Sequence, residues 1–119
     1  VTIWGTGNPK REFLFVDDLA DACVLVMEEG IENYKKLTTP MLSHINIGSG
    51  SDITIKRLVE AVARCVGYEG DVTFDETKPD GAPRKLMDSS KLSEIGWKPN
   101  FSLSQGLDIA YKDFVKNHL

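Results

Sequence analysis

Residues 78 to 85 read Lys78-Pro79-Asp80-Gly81-Ala82-Pro83-Arg84-Lys85, which sets three cations and one carboxylate on a backbone that two prolines and a glycine keep out of helix. Proline fixes φ and deletes an amide donor, so the segment is expected to be a stiff, exposed loop whose long side chains can converge on one anion. Phosphate is the ligand such chemistry suits, because guanidinium and ammonium groups hold it through charge-assisted hydrogen bonds. A second group stands near the start of the chain, in Trp4-Gly5-Thr6-Gly7-Asn8-Pro9-Lys10-Arg11. Arg11 can grip a phosphate bidentately, Lys85 supplies a mobile point charge, and Trp4 offers a flat apolar face to a base or a sugar ring. Each residue also has a plainer reading. Trp4 fits a core position, Arg11 can pair with Glu12 or Asp17, and Lys78 and Arg84 can face solvent.

Other chemistries are excluded by spacing. Gly5-Thr6-Gly7 begins like a dinucleotide-binding turn, but Lys10 stands at the third glycine position of G-x-G-x-x-G, and Gly48-Ser49-Gly50 fails in the same way at Ile53. The tyrosines Tyr34, Tyr68 and Tyr111 have Thr38, Val72 and Val115 four residues on, so the Tyr-x-x-x-Lys of short-chain reductases is absent. Cys23 and Cys65 fall among apolar residues of helical pattern and read as buried reduced thiols, neither disulfide nor metal ligands. His44 lies in an apolar run and His118 beside the C-terminus, with no second ligand at metal spacing. No Ser-His-Asp or Cys-His arrangement is built from them.

Composition sets broader bounds. A net charge of −4 argues against non-specific nucleic-acid binding. No apolar run is long enough for a membrane span and no signal peptide opens the chain, so the expectation is a cytoplasmic protein that makes no use of a membrane. At 119 residues the chain suffices for one small domain but is short for an enzyme that binds a dinucleotide and a second substrate. It opens on Val1, within what reads as a strand, and is expected to be cut from something larger.

The elements that must position these residues follow from periodicity. Val1–Trp4 reads as a strand, residues 5–9 as a loop, and Arg11–Phe15 as extended. A helix opens at Val16 with Asp17 or Asp18 as its cap; Leu19, Ala20, Cys23, Val24 and Met27 form its apolar stripe, and Gly30 ends it. Residues 31–41 read as a surface connection, Leu42–Ile47 as a strand and residues 48–52 as a turn. Thr54 caps a helix carrying Ile55, Leu58, Val59, Val62 and Val66 that stops at Gly67. Asp71–Asp75 reads as a strand leading into the cationic loop. Ser89 or Ser90 starts a short helix with Leu92 and Ile95, stopped by Gly96. Ser102 and Gln105 form a capping box for a last helix with Leu103, Leu107, Ala110, Tyr111 and Phe114 inward. The order is that of an α/β fold. Its first helix and the strand at 42–47 resemble the last pieces of a parallel sheet whose other strands are missing.

Taken together, Arg11-Glu12-Phe13, Val16-x-Asp18, Asn46-x-Gly48-x-Gly50 and Leu92-x-x-x-Gly96-Trp97-x-Pro99 resemble the C-terminal part of extended short-chain dehydrogenases/reductases that act on nucleotide sugars. Residues 40–48 and the loop from Lys78 to Lys85 are similar, within that superfamily, to the GDP-L-fucose synthase family, and the resemblance covers essentially the whole chain. It implies an NADPH-dependent 3,5-epimerase/4-reductase that converts GDP-4-keto-6-deoxy-D-mannose to GDP-L-fucose, cytoplasmic and homodimeric. Residues 1–119 would be its substrate-binding fragment, with 16–48 packed on the missing Rossmann sheet. Catalytic and cofactor residues of that family lie upstream of Val1, so the fragment alone is expected to be inactive and not to bind NADPH. The substrate contacts implied are Trp4, Arg11, Asp80 and Lys85, with Lys78 and Arg84 beside them. Asp80 would repel phosphate and suits a ribose hydroxyl or a guanine N–H. Two rivals remain: a different nucleotide-sugar epimerase or dehydratase, and a non-catalytic sugar-nucleotide-binding module.

Overall fold

A computed structural model describes residues 1–118. Thr2–Trp4 (β1) and Lys10–Glu12 (β2) lead into Val16–Glu28 (α1) and Ile31–Leu37 (α2). Asp52–Thr54 (β3) opens directly onto Ile55–Val66 (α3); Thr73–Asp75 (β4) and Arg84–Lys85 (β5) precede Ser90–Glu94 (α4) and Leu103–His118 (α5). The α/β character is as expected, and the strands form two small sheets. In one, β1 runs parallel to β4, with Thr2 opposite Thr73 and Trp4 opposite Asp75. In the other the order is β3-β2-β5, with β2 antiparallel to β3 and parallel to β5.

Local signals in the sequence account for several boundaries. The Thr54 side chain accepts from the Arg57 amide at 3.2 Å, and Gly67 closes α3 with φ of 68°, a left-handed conformation that favours glycine. The capping box forms as expected: Ser102 N donates to Gln105 Oε1 at 2.9 Å, and Gln105 N donates to Ser102 Oγ at 3.3 Å. At α4 the cap is different. Neither Ser89 nor Ser90 caps through its side chain; Asp88 accepts from Ser90 N at 3.0 Å, and this bond holds the Asp88 carboxyl below the usual carboxylate range.

Several expectations are corrected. Neither Asp17 nor Asp18 caps α1, which begins after Phe15 without a side-chain cap. Asp18 is instead buried within the helix and accepts from the amides of Asn100 and Phe101, at 2.9 and 3.2 Å. Residues 31–41 contain α2, a helix polar enough to resemble a loop and supported by an i,i+3 pair between Glu32 and Lys35 at 3.0 Å. Leu42–Ile47 is not a strand, because no neighbouring strand pairs with it; only a Thr39–Leu42 bridge forms. The segment from Arg11 is still extended at Phe15, with φ of −71° and ψ of 144°, and only its strand pairing stops earlier, at Glu12. Cys23 is exposed and Cys65 half-buried, and His44 is exposed, so none is the buried core residue its apolar neighbours suggest.

The core is small. Ala22, Leu92 and Trp97 are buried together, with Leu14, Leu25, Val26, Ile45, Ile47 and Ile95 packed around them. Helix α1 meets this core through Asp18, Ala22 and Leu25, one i,i+4,i+7 stripe. Its expected apolar stripe lies on another face. Leu19, Ala20, Cys23, Val24 and Met27 are exposed, Met27 at 85%. The chain exposes 8533 Å², whereas a compact monomer of 13.2 kDa exposes about 6400 Å². Its radius of gyration is 17.6 Å, against about 13 to 14 Å for a compact domain of this length. Among the described residues, no helix is long and apolar enough to cross a membrane.

Candidate functional site

The cationic loop spans the gap between the two sheets and is tied down along its length. Lys78 N donates to Asp75 O at 3.2 Å as the chain leaves β4, and Lys10 N donates to Pro83 O at 2.9 Å as it enters β5. Between these anchors the side chains from 78 to 85 are exposed. Gly5, with φ of 82°, lets the backbone after β1 pass so close to the loop that a Cβ there would collide with the Asp80 carboxylate. In that close approach Asp80 Oδ1 accepts from Thr6 N at 2.9 Å and Oδ2 from the Thr6 hydroxyl at 2.6 Å. Trp4, 74% exposed at the end of β1, has the Lys78 ammonium 5.7 Å above its ring, within cation–π range.

Arg11 reaches the loop from the central strand. Its Nη1 donates to Lys10 O at 2.6 Å and to Ala82 O at 2.8 Å, and Gly81 lies beside Nη2. Register sets Lys85 of β5 directly opposite Arg11 of β2, so the two cations share a sheet face with Ile53 of β3. On that face Arg11, Ser49, Ser51 and Ile53 border a cleft of about 280 Å³ closed by the segment from Pro99 to Leu103. The ion pairs among the described residues are Lys35–Glu32 and Arg84–Asp52. Among the described residues Arg11, Lys78 and Lys85 therefore have no carboxylate partner, and neither Glu12 nor Asp17 pairs with Arg11.

Arg84 is different. It alternates with Lys85 along β5, points to the other sheet face and donates through Nε to Asp52 of β3. This bond holds the Asp52 carboxyl below the usual carboxylate range and raises the Arg84 guanidinium. The structure thus brings Trp4, Lys78, Asp80, Arg11 and Lys85 around one loop and occupies Arg84 with a carboxylate.

Sequence reasoning missed the carboxylates that hold this arrangement. Glu12 Oε1 accepts from Gly50 N at 2.7 Å and from the Ser49 hydroxyl at 3.4 Å, while Oε2 accepts from Met87 N at 3.1 Å. A Cβ at Gly48 would sit 2.6 Å from the same carboxylate, which is why that turn takes glycine. Asp21 accepts from Trp97 Nε1 at 3.1 Å, and Asn46 Nδ2 donates to Asp88 O at 3.0 Å. Glu12, Asp18, Asn46, Gly48, Gly50 and Trp97 all stand in the spaced motifs of the sequence, but the pairings that give them their roles cross long separations. Among the described residues no group of three or more His, Cys, Asp or Glu side chains could hold a metal ion. The Cys65 thiol is pushed up by burial and by Asp108, so it is a poor nucleophile.

A chain with this mixed sheet and cationic loop is similar in sequence and in fold to enzymes named for nucleotide sugars. Residues 1–48 match the model of the NAD dependent epimerase/dehydratase family. Over 98% of its length the chain is 52% identical to the probable GDP-L-fucose synthase 1 of Oryza sativa subsp. japonica and 50% identical to the GDP-L-fucose synthase of Escherichia coli K12. It covers 33% and 36% of those two proteins, so it spans about a third of the length of the curated relatives it matches. Among solved structures, the GDP-mannoheptose C4 reductase of Campylobacter jejuni with NADP bound superposes with a TM-score of 0.80 at 38% identity, over 97% of this chain and 34% of that one. Within the nucleotide-sugar enzymes, then, the chain is a homologue of the GDP-L-fucose synthases.

Proposed function

We propose that this chain is the C-terminal, sugar-nucleotide-binding third of an NADPH-dependent 3,5-epimerase/4-reductase that converts GDP-4-keto-6-deoxy-D-mannose to GDP-L-fucose. The observation that carries the proposal is 50 to 52% identity to GDP-L-fucose synthases over 98% of the chain. The geometry agrees with it. Arg11 and Lys85, adjacent cations without carboxylate partners among the described residues, hold the diphosphate; Trp4 carries the base or the sugar on its free face; and Asp80, fixed by Thr6, presents its remaining lone pairs to a hydroxyl or ring N–H. Lys78 secures Trp4, and Arg84 supports the sheet through Asp52.

Catalysis and NADPH binding belong to the rest of the enzyme, since this chain has neither the glycine pattern nor Tyr-x-x-x-Lys. The same reading gives α1 its second face: residues 16–48 pack against the Rossmann sheet supplied by the remaining two-thirds of the protein. The excess exposed surface and the exposed apolar face of α1 support that packing. We place the enzyme in the cytoplasm, as a homodimer.

The test is to incubate the full-length protein with NADPH and the keto sugar and identify the product. GDP-L-fucose with NADPH oxidation supports the proposal, and turnover by the 119-residue chain alone contradicts it. A second reading, a C4 reductase of a GDP-heptose, is favoured by the likeness to the Campylobacter enzyme. Preferential turnover of a GDP-4-keto-heptose would select it.

A further inference from the structure

We propose that Glu12 is a positioning residue that fixes Lys85 beside Arg11 and so sets the spacing of the anion-binding pair. The inference rests on the diphosphate reading above and names a residue that reading does not use. Strand β5 has only two residues, and its register with β2 is set by two pairs, Lys10 with Arg84 and Arg11 with Lys85. So short a ladder is marginal by itself. The next tether after Lys85 is Met87 N, held at 3.1 Å by Glu12 Oε2. Glu12 follows Arg11 directly in β2, so one carboxylate completes the pairing that a longer β5 would supply.

Its other oxygen does the same on the opposite edge. Oε1 holds Gly50 N at 2.7 Å, two residues before β3 begins, and the absence of a side chain at Gly48 lets the turn close on the carboxylate. Both neighbours of Arg11 are thus pinned from one residue. These are charge-assisted bonds from backbone amides to a carboxylate, the stronger class, and no cation pairs with Glu12. Without Glu12, Lys85 and Met87 leave the sheet edge free to move, and ligand binding must then order the Lys85 stem that the fold now orders in advance. The cost falls on affinity for the diphosphate and not on the chemical step.

The experiment is a calorimetric titration of the full-length protein with GDP, using wild type, Glu12→Gln, Lys85→Ala and the double variant. Glutamine keeps the shape of Glu12, but its amide NH2 faces an amide donor. Glu12→Gln should weaken GDP binding about tenfold in the wild-type background and less than twofold in the Lys85→Ala background, because its effect runs through Lys85. In turnover, the same variant should raise KM and leave kcat near wild type. An unchanged affinity for Glu12→Gln, or the same loss in both backgrounds, overturns the inference. Failure of Lys85→Ala alone to weaken GDP overturns the diphosphate reading together with it, whereas a loss in Lys85→Ala with none in Glu12→Gln overturns only this inference. If Glu12→Gln does not fold, Glu12→Asp keeps the charge but falls one methylene short of Met87, and the same background dependence is required of it.

Discussion

Asp80 and Thr6 are 74 residues apart in sequence, yet the carboxylate of one takes both the amide and the hydroxyl of the other, at 2.9 and 2.6 Å. This pair of hydrogen bonds joins the loop after β1 to the cationic loop and sets Trp4, Lys78 and Asp80 as one unit. Thr6→Val removes the hydroxyl donor and keeps the β-branched shape. It should lower the thermal midpoint modestly and weaken GDP binding to the full-length protein by about 1 kcal/mol. Calorimetry beside a melting curve checks this, and unchanged affinity would separate Asp80 from the ligand.

Asp18 is buried at 1% exposure and serves two backbone amides ahead of α5. Asp18→Asn replaces one acceptor oxygen with a donor that faces an amide N–H. The expected loss is about 2 kcal/mol of stability, read as a lower thermal midpoint. A variant as stable as wild type would mean that the turn at Asn100–Phe101 satisfies its amides elsewhere.

The Arg84 guanidinium holds Asp52 below the ordinary carboxylate range, so the pair has a definite pH dependence. A carboxylate whose folded pKa lies below its unfolded one contributes stability above the unfolded value, about 4, and loses it as pH falls through the lowered value. The difference in thermal midpoint between wild type and Asp52→Asn should therefore be full at neutral pH and shrink below about pH 4. A difference independent of pH would show that the pair does not titrate as a unit.

The exposed face of α1 leads to a prediction for the 119-residue chain by itself. Val24 and Met27, 53% and 85% exposed, lie on a helix whose other face already fills the core. The unpaired segment after Leu42 lies in the same part of the chain. The chain should self-associate as its concentration rises, and Met27→Glu should favour monomer. Light scattering over a concentration series measures this, and a strictly monomeric wild-type chain would contradict the assignment of α1 to an interface.

Local signals made much of this fold legible. Thr54 and Gly67 bracket α3, and Ser102 with Gln105 starts α5, because caps act within one turn of chain. The cationic loop was legible for a similar reason, since its prolines and its cations are contiguous. Strands β3 and β5 were not legible: Asp52–Thr54 and Arg84–Lys85 are short and polar, and they are strands only because β2 lies between them. Helix α1 showed one apolar stripe in the sequence, but that stripe faces out, and the face turned inward carries the buried Asp18 carboxylate beside Ala22. The roles of Arg84 and Glu12 were hidden by distance. Arg84 meets Asp52 across 32 residues and Glu12 meets Met87 across 75, separations that no local pattern records.

The central claim is that Arg11 and Lys85 hold the diphosphate of a GDP-sugar, and the most direct measurement is a titration of the full-length protein with GDP, UDP and dTDP. Wild type should bind GDP most tightly. Arg11→Ala and Lys85→Ala should each weaken GDP by roughly 1.5 to 3 kcal/mol, the range of a hydrogen bond to a charged group. Equal affinity for the three nucleotides, or GDP binding unmoved by either substitution, would contradict the account.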